Sequence, residues 1–381
     1  LAGVRVQLKK ILQFCCIKDV KMQKMLTRSL FIFVLVAYIV AAPLSPVVAK
    51  PFAVNYALRG IVQLTEGIPC LYTADGRIFR LLLDKDDARK YNGKAVGIEG
   101  KVAQSDEVEN VKVKKIEIID EDEVQVPEVE HEAYQRPAKM LFEAAGTMTV
   151  GNLRWDITPD PASEKKKALH SWKTATINPD KVVKAYFLVK PFAPKFLAAH
   201  TLLGFSFEQG GVVGKDGRET DNIFLTIEAY KKLGQTYGLV KTMKKNFDIV
   251  WILTTLHNYA ELNVNYNNDT DKEIIIYPIN LTREQTRSLL IETVRQACVN
   301  RQGEYYHTIR NNCTNNLIIL LNRVLTAEKK IKLWKIPSMI YNLKATMPVA
   351  VVKLLKKRGL IGEAALTITK DNFVTDFNRI K

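Results

Sequence analysis

The sequence predicts an α+β protein, a sheet domain carrying helices that is preceded by a small β-barrel domain, and three observations carry that prediction. Short apolar segments punctuated by Gly and Asp crowd residues 55–120, strand-length apolar segments recur between Val182 and Tyr277, and helical spacing of apolar residues dominates only after Thr282. Strands first and helices afterwards place the helices on one side of an antiparallel sheet. With 381 residues and 47% hydrophobic content, the chain is long and apolar enough to bury the cores of two domains, which excludes a disordered protein.

Residues 1–49 read as an export signal with an upstream extension. Lys21, Lys24 and Arg28 precede an apolar run from Leu30 to Ala42, and Val47 and Ala49 supply small side chains for a signal peptidase, so cleavage is expected near Ala49. An uncleaved anchor is the alternative, although the run is shorter than the ~20 residues a spanning helix needs. The pattern starts at Met22 or Met25, so residues 1–21, with Cys15 and Cys16, are expected to precede the true start. No Cys follows the run, which argues against a lipid-anchored N-terminus. The formal charge is +16, and residues 1–49 hold seven Lys or Arg against one Asp, so the mature chain keeps +10. Such a field attracts anionic lipid headgroups and phosphate-bearing wall polymers, and export leaves no nucleic acid among the expected partners.

Within residues 50–120, segments 58–64, 69–72, 77–83, 95–102 and 111–119 read as strands, and 86–91 as a short helix. The stretch from Tyr91 to Val102 resembles a strand pair of exported oligomer-binding-fold domains, which implies an OB-like barrel with a docking or spacer role, or a ligand-binding one. Residues 121–133 form an acidic, Pro-containing linker. The second domain, 134–381, contributes strands at 182–189, 197–207, 223–229, 247–254 and 274–277, with a Gly-rich turn at 210–217. Its helices open at Thr282 and at Asn312 or Cys313. Residues 336–361 are amphipathic and basic, suited to a packed C-terminal helix or to peripheral contact with anionic lipid.

Beyond the leader the cysteines are Cys70, Cys298 and Cys313, an odd number, so one thiol at least stays unpaired in an oxidising compartment. Cys313 follows Asn311 and Asn312 at a helix start, where unpaired N–H groups and the helix dipole favour a thiolate. The N–H of Cys313 or Thr314 is also placed to hold an oxyanion, with Asn312 and Thr314 as positioning residues. A small core cysteine is the bland alternative, weakened by the polar run Asn311, Asn312, Thr314, Asn315 and Asn316. Cys298, among Val294, Ala297 and Val299, reads as structural.

Five histidines compete as base. His131 falls in the acidic linker and His170 in a polar segment, so both are expected to face solvent. His257 reads as a loop residue, and His307 stands too close to Cys313 unless the chain doubles back. His200 sits in the otherwise apolar stretch 197–205, where an imidazole needs a polar partner, as the base or as a satisfied core residue. No His or Cys pair has metal-ligand spacing, and no cofactor is implied.

At this point the residues fit a known pattern. Ala199-His200 with Phe205-Ser206-Phe207, then Thr226-Ile227-Glu228-Ala229-Tyr230-Lys231 with Gly234, Ile276-Tyr277-Pro278-Ile279, and the phrase from Tyr306 to Asn315 resemble the exported bacterial domain family of unknown function numbered 4105, which includes the periplasmic domain of lipoprotein intramolecular transacylases. The resemblance spans about half the chain. It implies a permuted papain-like (NlpC-type) domain in which the histidine strand precedes the cysteine helix. It also implies an acyl-transfer or hydrolytic thiol site with Cys313 as nucleophile, His200 as proton shuttle and Glu228 at the acidic position. Glu228 either orients His200 or pairs with Lys231 or Lys232. Tyr230 replaces the Arg usual in that family, which bears on substrate identity. The implied substrates are an envelope lipid, lipoprotein or wall peptide; a non-catalytic envelope binding protein is the competing reading.

Overall fold

A computed structural model describes residues 54–103, 109–125, 130–144, 146–161, 168–192, 198–238, 241–244, 246–266, 273–335, 340–341 and 347–372. The expected leader with its cleavage near Ala49, Cys15 and Cys16 lie outside the described residues, as do 336–339 and 342–346 of the basic stretch 336–361. Residues 52–381 form one compact unit.

The first five strands are β1 (Val54–Thr65), β2 (Ile68–Tyr72), β3 (Ile78–Leu82), β4 (Ala95–Ala103) and β5 (Glu109–Ile118), with helix α1 (Lys85–Tyr91) between β3 and β4. They close into a barrel in the order β1-β2-β3-β5-β4, β3 and β5 running parallel. Leu58, Val62, Leu71, Phe79, Leu81, Val96, Ile98 and Val111 fill its interior. Asp84 caps α1 by accepting from the N–H groups of Asp86 and Asp87. Gly60 and Gly100 are where strands approach closely: a Cβ at Gly60 would stand 2.3 Å from the Tyr72 carbonyl oxygen, and one at Gly100 2.5 Å from Val111.

The stretch 121–133, expected as a linker, is partly built into the fold. Glu121–Val124 makes a short helical turn with Val124 buried. Backbone bonds from Leu233 to Glu130 and from Glu132 to Lys231, with a bridge between His131 and Lys232, tie its end to the large sheet.

That sheet has eleven strands. Before the predicted ones stand three that the sequence pattern hid: β6 (Lys139–Ala144), β7 (Thr147–Pro159) and β8 (Ala168–Ile177). The pairing of β7 with β8 slips between Val150 and Leu153 and again between Arg154 and Ile157, and Asn152 takes a positive φ of 59°. These irregularities scramble strict alternation, so no clean period of two survives. Next come β9 (Val182–Phe192), β10 (Ala198–Phe207), β11 (Val212–Gly214), β12 (Glu219–Thr220), β13 (Asn222–Tyr230), β14 (Asp248–Thr254), β15 (Ile274–Pro278) and, near the end, β18 (Leu366–Ile368). Their order is β12-β11-β8-β7-β14-β13-β10-β9-β15-β18, with β6 on β7. The stretch 210–217, expected as a turn only, contains β11, and the sheet is antiparallel except where β14 meets β7 in parallel. A two-stranded ribbon, β16 (Trp334–Lys335) with β17 (Ile340–Tyr341), lies apart from it.

Helices cover both faces rather than one. Helices α3 (Arg283–Ala297), α4 (Cys313–Val324) and α5 (Pro348–Lys357) join the larger core with Phe187, Leu203, Phe205 and Leu225. The short α2 (Leu256–Glu261) packs Leu256, Tyr259 and Ala260 against Tyr186, Leu188, Leu202 and Phe224, the alternate residues of the same strands. A Cβ at Gly204 would overlap the Phe224 ring at 2.0 Å, so this position must stay bare for the second core to close. In α5, Val351 and Leu355 are buried while Lys356 reaches Glu363 and the face of Tyr277. Among the described residues no helix is long and apolar enough to cross a membrane.

Candidate active site

The start of α4 is built by two interlocking side chains. Asn312 accepts from the Asn315 N–H at 2.9 Å and Asn315 accepts from the Asn312 N–H at 2.9 Å, a capping box that fixes the first turn. Just before it the chain doubles back: His307 and Asn311 form an antiparallel bridge, and His307 Nδ1 accepts from the Ile309 and Arg310 N–H groups. His307 thus holds the turn that delivers the thiol. The polar residues around Cys313 are not solvent-facing, for Asn311, Asn312, Thr314, Asn315 and Asn316 are all buried, and Cys313 itself is 3% exposed. They form a satisfied network that includes Asn316 Nδ2 to Asn311 Oδ1 at 2.8 Å.

The Thr314 hydroxyl lies 3.9 Å from the Cys313 sulfur. The Asn312 amide is spent on the cap and on the Thr308 carbonyl, and the Thr314 hydroxyl lies 3.1 Å from that of Thr201 on β10. The cap satisfies the Asn315 N–H and the helical bonding of α4 begins with the Asn316 N–H to Asn312. The N–H groups of Cys313 and Thr314 precede both, at the positive end of the helix.

Strand β10 pairs with β13 only from Leu202/Thr226 to Ser206/Asn222. Thr226 ends that ladder, and beyond it lie His200 on β10 and Glu228 on β13, near the Cys313 end of α4. His200 is half-buried, with its Nε2 2.7 Å from Thr226 Oγ1, and Thr226 donates to Glu228 Oε1 at 2.9 Å. The His200 ring and the Cys313 sulfur also act on each other electrostatically. Glu228 also accepts from Gln135 Nε2 at 2.9 Å. Neither lysine is its partner: Lys231 lies over the Tyr134 ring, and Lys232 is beside Asp248.

The electrostatics follow from this grouping. Burial alone would raise the Cys313 thiol, but the His200 charge and hydrogen bond, joined by the Thr201 hydroxyl and N–H, outweigh it and bring the thiol down to about 6. Burial opposes a charged His200 and Lys190 adds to that, yet the sulfur and Glu228 prevail and the imidazole is raised. Glu228 is held below the usual carboxylate range against its burial, by the Arg154 guanidinium first and by His200 second. Arg154 is fully buried and bonds the Tyr134 carbonyl. Tyr306 places its hydroxyl 3.9 Å from the sulfur, and Tyr237 is raised to about 12 by burial and by the sulfur's charge.

The other candidates fall elsewhere. His170, expected in solvent, stands on β8 with its ring against Asn258, and burial and Arg154 lower it to about 4. His131 stacks on Tyr230 at 3.5 Å rather than facing solvent, and His257 lies on α2, paired with Glu261, rather than in a loop. Cys298 ends α3, where burial raises its thiol to about 12, in contrast to Cys313. Thr226, Thr201, Gln135 and Arg154 were not legible as site residues. Thr226 had one signal, its place two residues before Glu228 on the same strand face; for Arg154 and Gln135 there was none.

The family model described as Lnb N-terminal periplasmic domain matches residues 168–358, just over half of the chain. No curated protein and no solved structure gives a match. The matched span takes in His200, Thr226, Glu228 and Cys313, and it ends short of Gln135 and Arg154, which buttress Glu228 from an earlier part of the chain. A periplasmic family accords with an exported, envelope protein. The chain belongs to the Lnb N-terminal periplasmic domain family, of the lipoprotein intramolecular transacylase type.

Proposed function

We propose that this protein is an exported thiol acyltransferase or hydrolase acting on an envelope ester or amide in a lipid, lipoprotein or wall peptide. The observation that carries the reading is the continuous chain from the Cys313 thiol through His200 and Thr226 to Glu228. Cys313 supplies the thiolate and its proton resides on His200. Attack on the carbonyl carbon forms the C–S bond and puts negative charge on the carbonyl oxygen, which the Cys313 and Thr314 N–H groups would hold. Collapse breaks the bond to the alcohol or amine, which leaves with the His200 proton. An amine, alcohol or water then gives its proton to His200 and takes the acyl group from sulfur. Glu228, acting through Thr226, orients the ring and favours its charged form. A histidine strand that precedes the cysteine helix supports a permuted papain-like domain, and the leader-like residues 22–49 support export with cleavage near Ala49.

The pH dependence of Cys313 alkylation, followed by mass spectrometry beside a His200→Ala variant, tests this. A midpoint near 6 that moves upward without His200 is expected; a thiol that stays inert across neutral pH overturns the assignment. The 3% exposure of Cys313 favours one second reading, an envelope binding protein with a concealed, unreactive thiol, and the inert outcome selects it.

A further inference from the structure

Residues 303–306 run between the barrel and the large sheet and are bonded to both. The Ala57 N–H donates to the Gly303 carbonyl at 2.9 Å, the Ile249 N–H to the Glu304 carbonyl at 3.0 Å, and the Tyr306 N–H to the Phe247 carbonyl at 2.9 Å. Tyr56 bridges to Glu304 on one side and Asp248 to Tyr305 on the other. Gly303 takes a φ of +81°, and a Cβ there would lie 2.4 Å from the Ala57 carbonyl oxygen, so the barrel backbone comes as close as glycine permits.

From this segment the Glu304 carboxylate projects inward with no exposed surface. Its Oε2 accepts from the Tyr56 hydroxyl at 3.1 Å and from Arg301 Nη1 at 2.9 Å, while its Oε1 accepts from Asn311 Nδ2 at 3.0 Å. The Arg301 guanidinium is stacked 3.9 Å over Trp251. Asn311 in turn receives Asn316 Nδ2 at 2.8 Å, and Asn316 Nδ2 also reaches the Asn312 carbonyl at 2.9 Å. One buried carboxylate thus joins a barrel tyrosine, a sheet-side arginine and the asparagines on either side of Cys313. A buried charge is tolerated only while its donors stay in place.

We propose that Glu304 is a positioning residue for the Cys313 site and that the docked barrel sets the loop on which the thiol is presented. This rests on the reading of Cys313 as a reactive thiolate paired with His200. Glu304 touches neither group; it acts through Asn311, which steadies the turn between His307 and the helix start. The charged and titratable groups around the sulfur itself are His200, Lys190, Glu228, Tyr306 and Tyr237. A change made at Glu304 that alters the thiol therefore travels through the loop.

The test is iodoacetamide alkylation of Cys313 from pH 5 to 9 in the folded mature chain, for wild type, His200→Ala, Glu304→Gln and Tyr56→Phe, with Cys298 as internal reference. The Gln amide has one acceptor and cannot serve Asn311 and the Arg301/Tyr56 pair together. The expected result for Glu304→Gln is a higher Cys313 midpoint and a rate at pH 6.5 reduced by roughly tenfold, with Cys298 labelling unchanged. Tyr56→Phe shifts the midpoint in the same direction by less. A folded Glu304→Gln protein with the wild-type midpoint overturns the proposal while the thiolate reading stands. A wild-type midpoint indifferent to His200→Ala overturns the thiolate reading and this proposal with it. Should Glu304→Gln fail to fold, Tyr56→Phe decides: a raised midpoint supports the coupling, and an unchanged one refutes it.

Discussion

Turnover at a Cys313–His200 pair is expected to follow a bell in pH. The thiol is lowered to about 6, so its nucleophilic form is lost as pH falls through that value. The imidazole is raised, so the proton owed to the leaving group is lost only above the ordinary histidine range near 6.5. Rate profiles on an ester or amide substrate check both limbs, and an acid limb near 8 rather than 6 would contradict the pair. Thr226→Val cuts the link between His200 and Glu228 and is expected to lower the rate at pH 6.5 by about tenfold or more, whereas Thr226→Ser, which keeps the hydroxyl, is expected to retain most of it. Equal rates in the two variants would remove Glu228 from the mechanism. Cys313 and His200 stand out in the sequence because each breaks its local pattern, a thiol at a capped helix start and an imidazole inside an apolar strand. His170 was misread because its polar neighbours in sequence say nothing of Asn258, which meets it from 88 residues away.

At the scale of elements, the first turn of α4 is expected to govern both stability and the reactivity of Cys313. Asn312→Ala removes one half of the capping box and is expected to cost about 1 kcal/mol in urea denaturation. It is also expected to raise the Cys313 midpoint, since the thiolate loses a well-ordered helix end. A midpoint that holds while stability falls would confine the cap to a structural role. Helices α3 and α4 were readable because Thr282 and Asn312 stand three residues before Gln285 and Asn315, a spacing that backbone geometry dictates. Strands β6, β7 and β8 were not, because bulges and the turned residue Asn152 spoil alternation, and a buried Arg154 sits where an apolar residue belongs. The position of α2 on the opposite face was equally hidden, since a six-residue helix carries no period long enough to name its partner.

For the molecule as a whole, the sheet extends past the matched family span, and β7 is its seam. It pairs with β6, β8 and β14 and buries Val150, Leu153 and Trp155. A fragment beginning at residue 168 is therefore expected to lack a cooperative melting transition, as circular dichroism against temperature would record; a cooperative transition in that fragment would show that β7 is dispensable. Long-range topology of this kind leaves no local mark, because register between distant strands is decided by packing after the elements exist. One feature of the finished fold bears on endurance outside the cytoplasm. Cys70, Cys298 and Cys313 are all free, on three different elements. Cys70 is buried in the barrel wall, Cys298 stays protonated because its thiol is raised to about 12, and the acidic Cys313 is 97% shielded. Peroxide and disulfide exchange need a thiolate that solvent can reach, and among the described cysteines none is both acidic and open to solvent. As the proposed nucleophile, Cys313 would be kept from oxidants by burial rather than by pairing with another cysteine.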